Sequence, residues 1–188
     1  MMRIKTKKRL DRDDWINASF KTLHEEGIDQ VRIERVARKL GVTKGSFYWH
    51  FKDRDALLDV LLEYWAHEMT QTVLNTAKKF HGPPMDRLYN AIREVIGKER
   101  ARYDPAVRAW ARSDPRAQKA VNHIDKIRLS FLHGLFIDVG FNDKEAEIRA
   151  RLIYYYIIGE WVVTVREPMR KRLAELERKL DILTHPVG

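Results

Sequence analysis

The sequence predicts an all-α protein with two domains, a three-helix helix-turn-helix domain over residues 1–55 and a larger helical domain over residues 56–188. Apolar residues recur at the 3.6-residue spacing of amphipathic helices, which in the second domain is the only periodic pattern. Capping residues, glycines and prolines stand where these segments begin and end. Together these signals divide the chain of 188 residues into about nine helices.

The first helix is predicted to begin after Asp11, which can cap it, and to end at Gly27. Its apolar residues face one side, as in a supporting core helix: Trp15, Ile16, Phe20 and Leu23. A second helix is predicted from about Arg32 to Leu40. Gly41 can close it, because glycine tolerates the left-handed backbone conformation that ends many helices.

The stretch from Gly41 to Lys52 predicts a turn and then a short helix that Thr43 caps. On a helical period Phe47 and Phe51 point to one side and anchor the segment. The other side presents Gly45, Tyr48 and Trp49. Hydrogen-bond donors suited to phosphate oxygens are also present: Lys44, Ser46, Tyr48, His50 and Lys52. This combination favours a nucleic-acid surface over a surface hairpin with exposed aromatic residues.

Positive charge is concentrated around this stretch. The net charge of the chain is +9, and residues 1–54 hold 14 Lys and Arg against 8 Asp and Glu. The remaining 134 residues hold 22 against 19. A local excess of basic side chains is typical of proteins that bind phosphates, although it is weak evidence without the motif.

A basic arm precedes the first helix and consists of Arg3, Lys5, Lys7, Lys8 and Arg9. Such an arm can follow a DNA backbone or enter the minor groove, as N-terminal arms of helix-turn-helix proteins do. A solubilising tail is an equally good interpretation of these residues, and both remain open at this point.

The motif resembles the DNA-binding domain of the TetR (tetracycline repressor) family of one-component bacterial regulators. The family pattern Gly-Val-Ser/Thr-x-Gly-x-Leu/Phe-Tyr-x-His/Tyr-Phe is matched from Gly41 to Phe51. Val36-Ala37 fills the Ile/Val-Ala positions before it, and Lys52 to Leu58 fills the stretch after it. The resemblance covers about residues 9 to 65 and does not extend by motif into the rest of the chain.

This resemblance implies a sequence-specific DNA-binding transcriptional regulator, with repression as the family's commoner mode. It further implies a homodimer that binds a pseudo-palindromic operator on double-stranded DNA and is released by a small-molecule effector. The residues expected to contact DNA are Arg32, Thr43, Lys44, Gly45, Ser46, Tyr48, Trp49, His50 and Lys52. We expect Lys44 to contact a base, because it is a long donor at the helix start.

Arg32 departs from the family pattern, which usually has Ser or Thr at this position as helix cap and phosphate contact. Arginine cannot cap a helix N-terminus and its charge opposes the helix dipole there. It can nevertheless bind phosphate directly. The role of Arg32 therefore stays open between these two properties.

A long helix is predicted from Asp53 to about Phe80, where His81-Gly82-Pro83-Pro84 ends it because two prolines cannot continue a helix.

The later helix boundaries are marked by prolines, glycines and caps. Asp104-Pro105 and Asp114-Pro115 each predict a cap followed by proline at the first helical position. Further boundary signals are Gly140, the Asn142 and Glu145 capping box, and Pro168. The helix after Asn142 is predicted to reach about Val165 and to be apolar almost all round, which requires cover on nearly every side.

Aromatic residues of the second domain could line an apolar cavity for the effector. The predicted ligand-binding residues are Trp65, Trp110, Phe131, Tyr156, Glu160 and Trp161, with Tyr154, Tyr155 and His133 as further candidates. Ordinary core packing is the alternative for each of them. Glu160 stands out because a carboxylate in so apolar a helix needs a partner, for which Arg108, Arg112 or a ligand cation are candidates.

The last helix places apolar residues at alternating spacings of four and three, and these are Met169, Leu173, Leu176, Leu180 and Leu183. That spacing predicts a narrow seam for another helix. We interpret it, together with the apolar helix before it, as a dimerisation surface, since two copies would set two recognition helices about one DNA turn apart. In the resembling family, dimers form through the last two helices. Packing inside one subunit is the alternative for this seam.

Other function classes are disfavoured by the sequence. His67-Glu68-Met69-Thr70-Gln71 begins like a zinc-protease helix, but Gln71 stands where that chemistry needs a second histidine. Without a phosphate-cradling glycine loop or a nucleophile elbow, no enzyme activity, cofactor or metal is expected. A sequence-indifferent architectural DNA-binding protein remains the alternative function.

The location of the protein is predicted from three features that the sequence lacks: cysteine, a secretory signal and a membrane-spanning segment. Cysteine is absent, and the charged N-terminus is not followed by the apolar region of a secretory signal. The longest apolar run, Leu152 to Ile158, is far shorter than the roughly 20 residues that span a membrane. We therefore expect a cytoplasmic protein without a membrane partner.

Overall fold

A computed structural model describes residues 10–185, so the predicted basic arm lies outside the described residues. In this range all regular structure is helical, which confirms the predicted all-α class. The ten α-helices are α1 (Arg12–Glu26), α2 (Ile33–Leu40), α3 (Arg54–Ala66), α4 (Thr72–Lys79), α5 (Pro84–Gly97), α6 (Asp104–Trp110), α7 (Pro115–Val139), α8 (Asp143–Val162), α9 (Met169–Ala174) and α10 (Leu176–Thr184).

The chain divides into two compact units between Leu62 and Glu63, inside α3. We call the part up to Leu62 unit 1 and the part from Glu63 unit 2. The sequence places the domain boundary between residues 55 and 56, seven residues earlier. A boundary within a continuous helix leaves no glycine or proline signal, so hydrophobic spacing alone does not locate it.

Unit 1 follows the local signals closely. Asp11 and Asp14 form a reciprocal capping box at the start of α1, each side chain accepting from the other's backbone N–H at 2.9 Å. Gly41 ends α2 in the left-handed conformation at φ +67°, as predicted. The predicted apolar face of α1 is buried in the core of this unit, which packs α1 against α2.

Unit 2 is built around the packing of α7 against α8. Gly140 ends α7 in the left-handed region at φ +113°. The side chain of Asn142 caps α8 by accepting from the backbone N–H of Glu145 at 3.0 Å. Helices α5, α9 and α10 complete one apolar core with α7 and α8, and its fully buried members include Leu88, Phe136, Ile153 and Leu176.

The predicted long helix from Asp53 to Phe80 exists but contains one turn of π-helix, His67–Gln71, between α3 and α4. A π-turn widens the hydrogen-bond ladder and frees backbone groups. Here the guanidinium of Arg128 on α7 reaches this turn, donating to the Thr70 hydroxyl at 2.9 Å and to the Met69 carbonyl at 3.3 Å. The sequence cannot predict this turn, because its partner lies 58 residues away.

Three further predicted boundaries need correction. Helix α8 ends at Val162 rather than about Val165. The single predicted last helix is two, α9 and α10, joined at Glu175. The predicted cap Asp104 instead opens α6 as its first residue, after Tyr103. Its carboxylate is fully buried and accepts side-chain hydrogen bonds from other helices, so it is not available to cap α6.

Candidate nucleic-acid interface and effector cavity

The recognition segment, which we define as residues 43–52, is held in place by two buried phenylalanines. Phe47 is 0% exposed and lies edge-on to Trp15 of α1, with the ring centroids 5.3 Å apart. Phe51 stacks on Phe47 at 5.3 Å and an interplanar angle of 22°. These contacts confirm the predicted anchoring face and tie the segment rigidly to α1.

The segment differs from the prediction in its helix type. Lys44–Trp49 form a 3₁₀ helix and not an α-helix, and Thr43 makes no side-chain cap. The short length and the residue types explain this, because glycine and aromatic residues are weak α-helix formers. The Phe51 N–H still donates to the Phe47 carbonyl at 3.0 Å, which places the two rings on the same side.

The opposite side of the recognition segment is open to solvent. Trp49 is 83% exposed and Tyr48 is 52% exposed. The other predicted contact residues of this segment are exposed or half-buried: Thr43, Lys44, Gly45, Ser46, His50 and Lys52. Eight of the nine predicted contact residues therefore lie in one short segment. Two of its large aromatic rings are exposed to solvent and are not buried in the core.

Arg32, the ninth predicted contact, is the N-terminal flanking residue of α2 and makes no side-chain cap there. Its Nε donates instead to the Asp29 carbonyl at 2.8 Å. This bond holds the exposed guanidinium beside the start of α2 without using the helix N–H groups. The arrangement fits the expectation that arginine cannot cap, and its phosphate role stays a prediction.

Lys44 is paired with Glu34 in the first turn of α2, at an Nζ–Oε1 distance of 2.5 Å. Their hydrogen bond raises the pKa of Lys44 and lowers the pKa of Glu34. Both side chains are at least half exposed, so the pair can open at little cost. The residue expected to contact a base thus has an acidic partner ten positions earlier in the chain, which the sequence did not predict.

Unit 2 contains a mostly apolar cavity among α4, α5, α7, α8 and the π-turn. Its walls are Met69, Thr70, Val73, Leu74, Ala91, Ile92, Val95, Arg100, Ala101, Arg128, Phe131, Leu132, Tyr154, Ile157 and Ile158. It leaves about 50 Å³ for the centres of water-sized molecules. Of the six predicted ligand-binding residues only Phe131 lines this cavity, together with the further candidate Tyr154.

The other predicted ligand-binding residues are engaged elsewhere. Trp65 and Trp110 are buried, and their indole N–H groups donate to Asp104 at 2.7 Å and to Asp114 at 3.1 Å.

The partner of Glu160 is the buried Arg172 of α9, which is not one of the three predicted partners. Trp161 lies against the Arg166 guanidinium at 3.6 Å, and Tyr156 accepts from Lys179 at 3.1 Å.

A buried polar cluster stands beside the cavity. Arg128 contributes to its wall and pairs with the fully buried Asp104 at 2.5 Å, whose other oxygen accepts from Trp65. Tyr154 donates to Asp125 at 2.7 Å, and burial raises the pKa of its phenol. The one sequence signal for Arg128 is its position on the predicted helix α7 between apolar neighbours, which does not distinguish it from a solvated arginine.

The predicted dimerisation residues pack against the core of their own subunit. Leu176 and Leu180 are 0% and 1% exposed in the core of unit 2, where they pack beside α5 and α8. Met169, Leu173 and Leu183 are half-buried against the same core. The alternative interpretation of the spacing, packing inside one subunit, therefore describes Leu176 and Leu180, whereas a dimerisation role for the other three residues stays a prediction.

A different apolar surface is exposed on α8. The α8 stripe, which we define as Ile148, Leu152, Tyr155 and Val162, has exposed fractions of 51%, 52%, 57% and 63%. Its members are spaced four, three and seven residues apart, so they share one face of the helix. The apolar composition of this helix predicts that it is covered on nearly every side, and residues 10–185 leave it uncovered along this stripe.

The described range contains neither a metal-ion site nor a membrane span. Between residues 10 and 185, no three His, Asp or Glu side chains are grouped as ligands for a metal ion. None of the helices described there combines the length and apolar character that a membrane span requires.

Comparison with known proteins supports the interpretation of unit 1. Residues 16–61 match the family model described as bacterial regulatory proteins, tetR family. A class D tetracycline repressor from Escherichia coli is 43% identical over 53 residues, which are 28% of this chain and only 24% of that protein. A class C tetracycline repressor from the same organism is 27% identical over 181 residues, covering 94% of this chain and 74% of its own length.

The architecture of the whole chain also has solved counterparts. A regulator from Saccharomonospora viridis, solved in complex with choline, superposes with a TM-score of 0.74. The two chains are 14% identical, and the superposition covers 90% of this chain and 95% of the other. At this identity the likeness concerns the fold alone.

Proposed function

We propose that this chain, which belongs to the TetR family of bacterial regulators, is a homodimeric repressor that a small-molecule effector releases from operator DNA. The observation that carries the proposal is the recognition segment. Its two phenylalanines are buried, whereas Tyr48, Trp49 and most of its polar side chains face solvent. A rigid anchor behind an exposed polar and aromatic face suits insertion into a DNA groove.

The contacts to DNA would divide into two kinds. Tyr48 and Lys52, exposed beside the anchor, are suited to phosphate oxygens and would position the segment on the backbone. Lys44 lies at the start of the 3₁₀ helix, where a side chain can reach base edges in the major groove. Gly45 has no side chain, and a Cβ built there would have only the Thr43 hydroxyl, 3.8 Å away, within 4 Å. The backbone at Gly45 can therefore approach a duplex closely.

A homodimer is supported by the α8 stripe. Four large apolar side chains on one helical face, each about half exposed or more, form a patch that a second copy could cover by twofold symmetry. One recognition segment contacts few base pairs, whereas a symmetric pair would read two half-sites about one turn apart. The dimer therefore supplies the specificity that a single segment lacks.

Effector control is supported by the cavity of unit 2. It is apolar with a few polar groups, the usual character of a small-molecule site, and the S. viridis regulator of the same fold was solved with choline. An effector would release DNA only if it binds one conformation more tightly than the other. Repression is the commoner mode of the family and fits a scheme in which the form without effector holds the operator.

The experiment starts by selecting bound sequences from a random DNA library with the full chain. The selected duplex and a scrambled duplex are then titrated by fluorescence anisotropy at two salt concentrations. We expect an inverted repeat and an affinity for the selected duplex that exceeds the scrambled one by about 10³ or more. Equal affinities with equal salt slopes would instead identify a sequence-indifferent architectural protein.

Variants assign the binding to the recognition segment. Tyr48→Ala should weaken binding to both duplexes, and Lys44→Ala should change which sequences are selected. Phe80→Ala, which truncates an exposed aromatic residue of unit 2, is the matched control and should leave both affinities unchanged. If Tyr48→Ala and Lys44→Ala behave like Phe80→Ala, DNA binding by this segment is refuted.

A further inference from the structure

Two arginines line the cavity of unit 2, and each already has an acidic partner. Arg128 pairs with Asp104 at 2.5 Å. Arg100 lies 3.5 Å from a carboxylate oxygen of Glu94 and 4.0 Å from one of Glu68. The charge on the cavity wall is therefore balanced before any ligand enters, although the wall contains two cations.

Balanced charge restricts what the cavity can hold. A ligand carboxylate beside Arg100 would find its guanidinium already paired with Glu94 and Glu68, and a ligand ammonium would meet the guanidinium itself. Either ion would lose its hydration in an apolar chamber without gaining an uncompensated opposite charge, which is costly. The cavity thus favours an uncharged molecule.

One polar atom at the cavity is nevertheless unsatisfied. The Nε–H of Arg100 is buried and has no hydrogen-bond partner among residues 10–185, whereas Nη1 and Nη2 of the same side chain contact the Glu68 carbonyl and the Glu94 carboxylate. A buried donor without an acceptor costs free energy that a ligand acceptor would recover. By contrast, Arg128 donates from Nε, Nη1 and Nη2 to Thr70, Asp104 and the Met69 carbonyl.

We infer that the effector of this protein is an uncharged, mainly apolar small molecule with a carbonyl oxygen that accepts from Arg100 Nε. Ketones, esters and lactones belong to this class. The inference rests on the proposed effector role of unit 2 and specifies the chemistry of its ligand. It identifies Arg100 as the specificity-determining residue, because it is the lining side chain with a buried donor still to satisfy.

The size of the cavity sets the scale of the first probes. Room of about 50 Å³ for the centres of water-sized molecules corresponds to roughly three to five waters. A six-carbon chain is a suitable starting length, and Met69, a flexible side chain on the wall, can shift to admit it. The probes are 2-hexanone, hexanoate, hexylammonium and hexane, which share a chain and differ in the polar end.

Binding of each probe to the full chain is measured by calorimetry and by the ¹⁵N-resolved Nε–H resonance of Arg100. We expect 2-hexanone to bind and to shift that resonance. Hexanoate, hexylammonium and hexane should bind about tenfold or more weakly. Tighter binding of either ion, or no detectable binding of 2-hexanone up to its solubility, would overturn the inference.

Arg100→Lys keeps the positive charge but places a methylene where Nε–H stood, so it should lose the preference for 2-hexanone over hexane. The control is Arg93→Lys on the exposed side of α5, which should retain it. An unchanged preference in Arg100→Lys would also overturn the assignment. Anisotropy with operator DNA on the same samples reports the proposed function separately, because DNA binding does not require the probe.

Discussion

The indole N–H of Trp65 donates a 2.7 Å hydrogen bond to the fully buried carboxylate of Asp104, 39 residues later in the chain. The second oxygen of Asp104 accepts from Arg128, which also holds the π-turn through Thr70. One carboxylate therefore ties α3, α6 and α7 together beside the cavity. A buried charge in such a position is stabilised only while its partners remain.

Asp104→Asn should destabilise unit 2 by about 3–5 kcal/mol, because it leaves the buried guanidinium of Arg128 without its counter-charge. The measurement is urea denaturation followed by circular dichroism. The double variant Asp104→Asn with Arg128→Met removes both charges and should recover part of the loss. A double variant as unstable as the sum of the two single variants would show that the pair is not coupled.

Glu34→Gln should strengthen binding to both selected and scrambled DNA, because it removes a carboxylate that would repel the phosphates and leaves the charge of Lys44 uncompensated. The slope of log affinity against log salt should steepen by up to about one, because the variant brings one more uncompensated positive charge to the DNA. Anisotropy titrations at several salt concentrations measure both quantities.

Glu25→Gln on α1 is the control for this prediction, since Glu25 is also an exposed carboxylate of unit 1 and pairs loosely with Lys21 at 3.8 Å. It should change affinity much less than Glu34→Gln. If the two variants behave alike, the effect belongs to the net charge and not to the Lys44 pair.

Leu152→Glu should convert the proposed dimer to folded monomers, because it places a charge in the middle of the α8 stripe. Sedimentation velocity gives the oligomeric state, and circular dichroism shows that the helices persist. Lys78→Glu, on the exposed side of α4, is the control and should remain dimeric. A dimer that survives Leu152→Glu would exclude the stripe as its interface.

Leu180→Glu should behave differently from Leu152→Glu. Leu180 is 1% exposed in the core of unit 2, so a glutamate there would be buried without a partner. The expected result is loss of helical signal and aggregation, visible in circular dichroism and light scattering. If Leu180→Glu instead gave folded monomers, the result would support the dimer interface that the leucine spacing predicts.

Asp114 caps α7 and should contribute an acid-sensitive part of the stability. Hydrogen bonds from the Arg116 side chain and backbone, and from the Trp110 indole, lower the pKa of Asp114 to about 2. A lowered pKa in the folded state stabilises the fold above the unfolded value near 4. This contribution is lost as pH falls from about 4 to about 2.

The pH profile of thermal unfolding tests this contribution. Asp114→Asn should lose less stability between pH 7 and pH 2 than the unchanged chain, because it lacks the titrating group. Asp181→Asn, which removes an exposed carboxylate of α10, is the control and should follow the unchanged chain. Parallel profiles for Asp114→Asn and the unchanged chain would contradict the prediction.

Local chemistry explains which features were predictable. Gly41 and Gly140 end their helices because a left-handed residue is required there and glycine adopts it without strain. Phe47 and Phe51 are buried and Tyr48 and Trp49 are exposed as their spacing predicts. Neighbours within a few residues decide these features, and the sequence contains those neighbours in order.

Distant partners explain which features the sequence could not predict. The spacing of Leu176 and Leu180 is the same for an intermolecular seam and for a core helix, so only the position of α5 and α8 distinguishes the two. The cavity wall includes Arg100 and Arg128, which look like ordinary charged surface residues in the sequence. Their burial depends on carboxylates that lie up to 32 residues away in the chain.

The sequence by itself determined the helical class, most helix ends and the two faces of the recognition segment, because each depends on backbone preference or on side chains within a turn or two. The tertiary structure alone decided which carboxylates are buried, which apolar face is left open and which side chains line the cavity. Those outcomes depend on contacts between helices, where the free energy of removing a side chain from water is set by its neighbours in space.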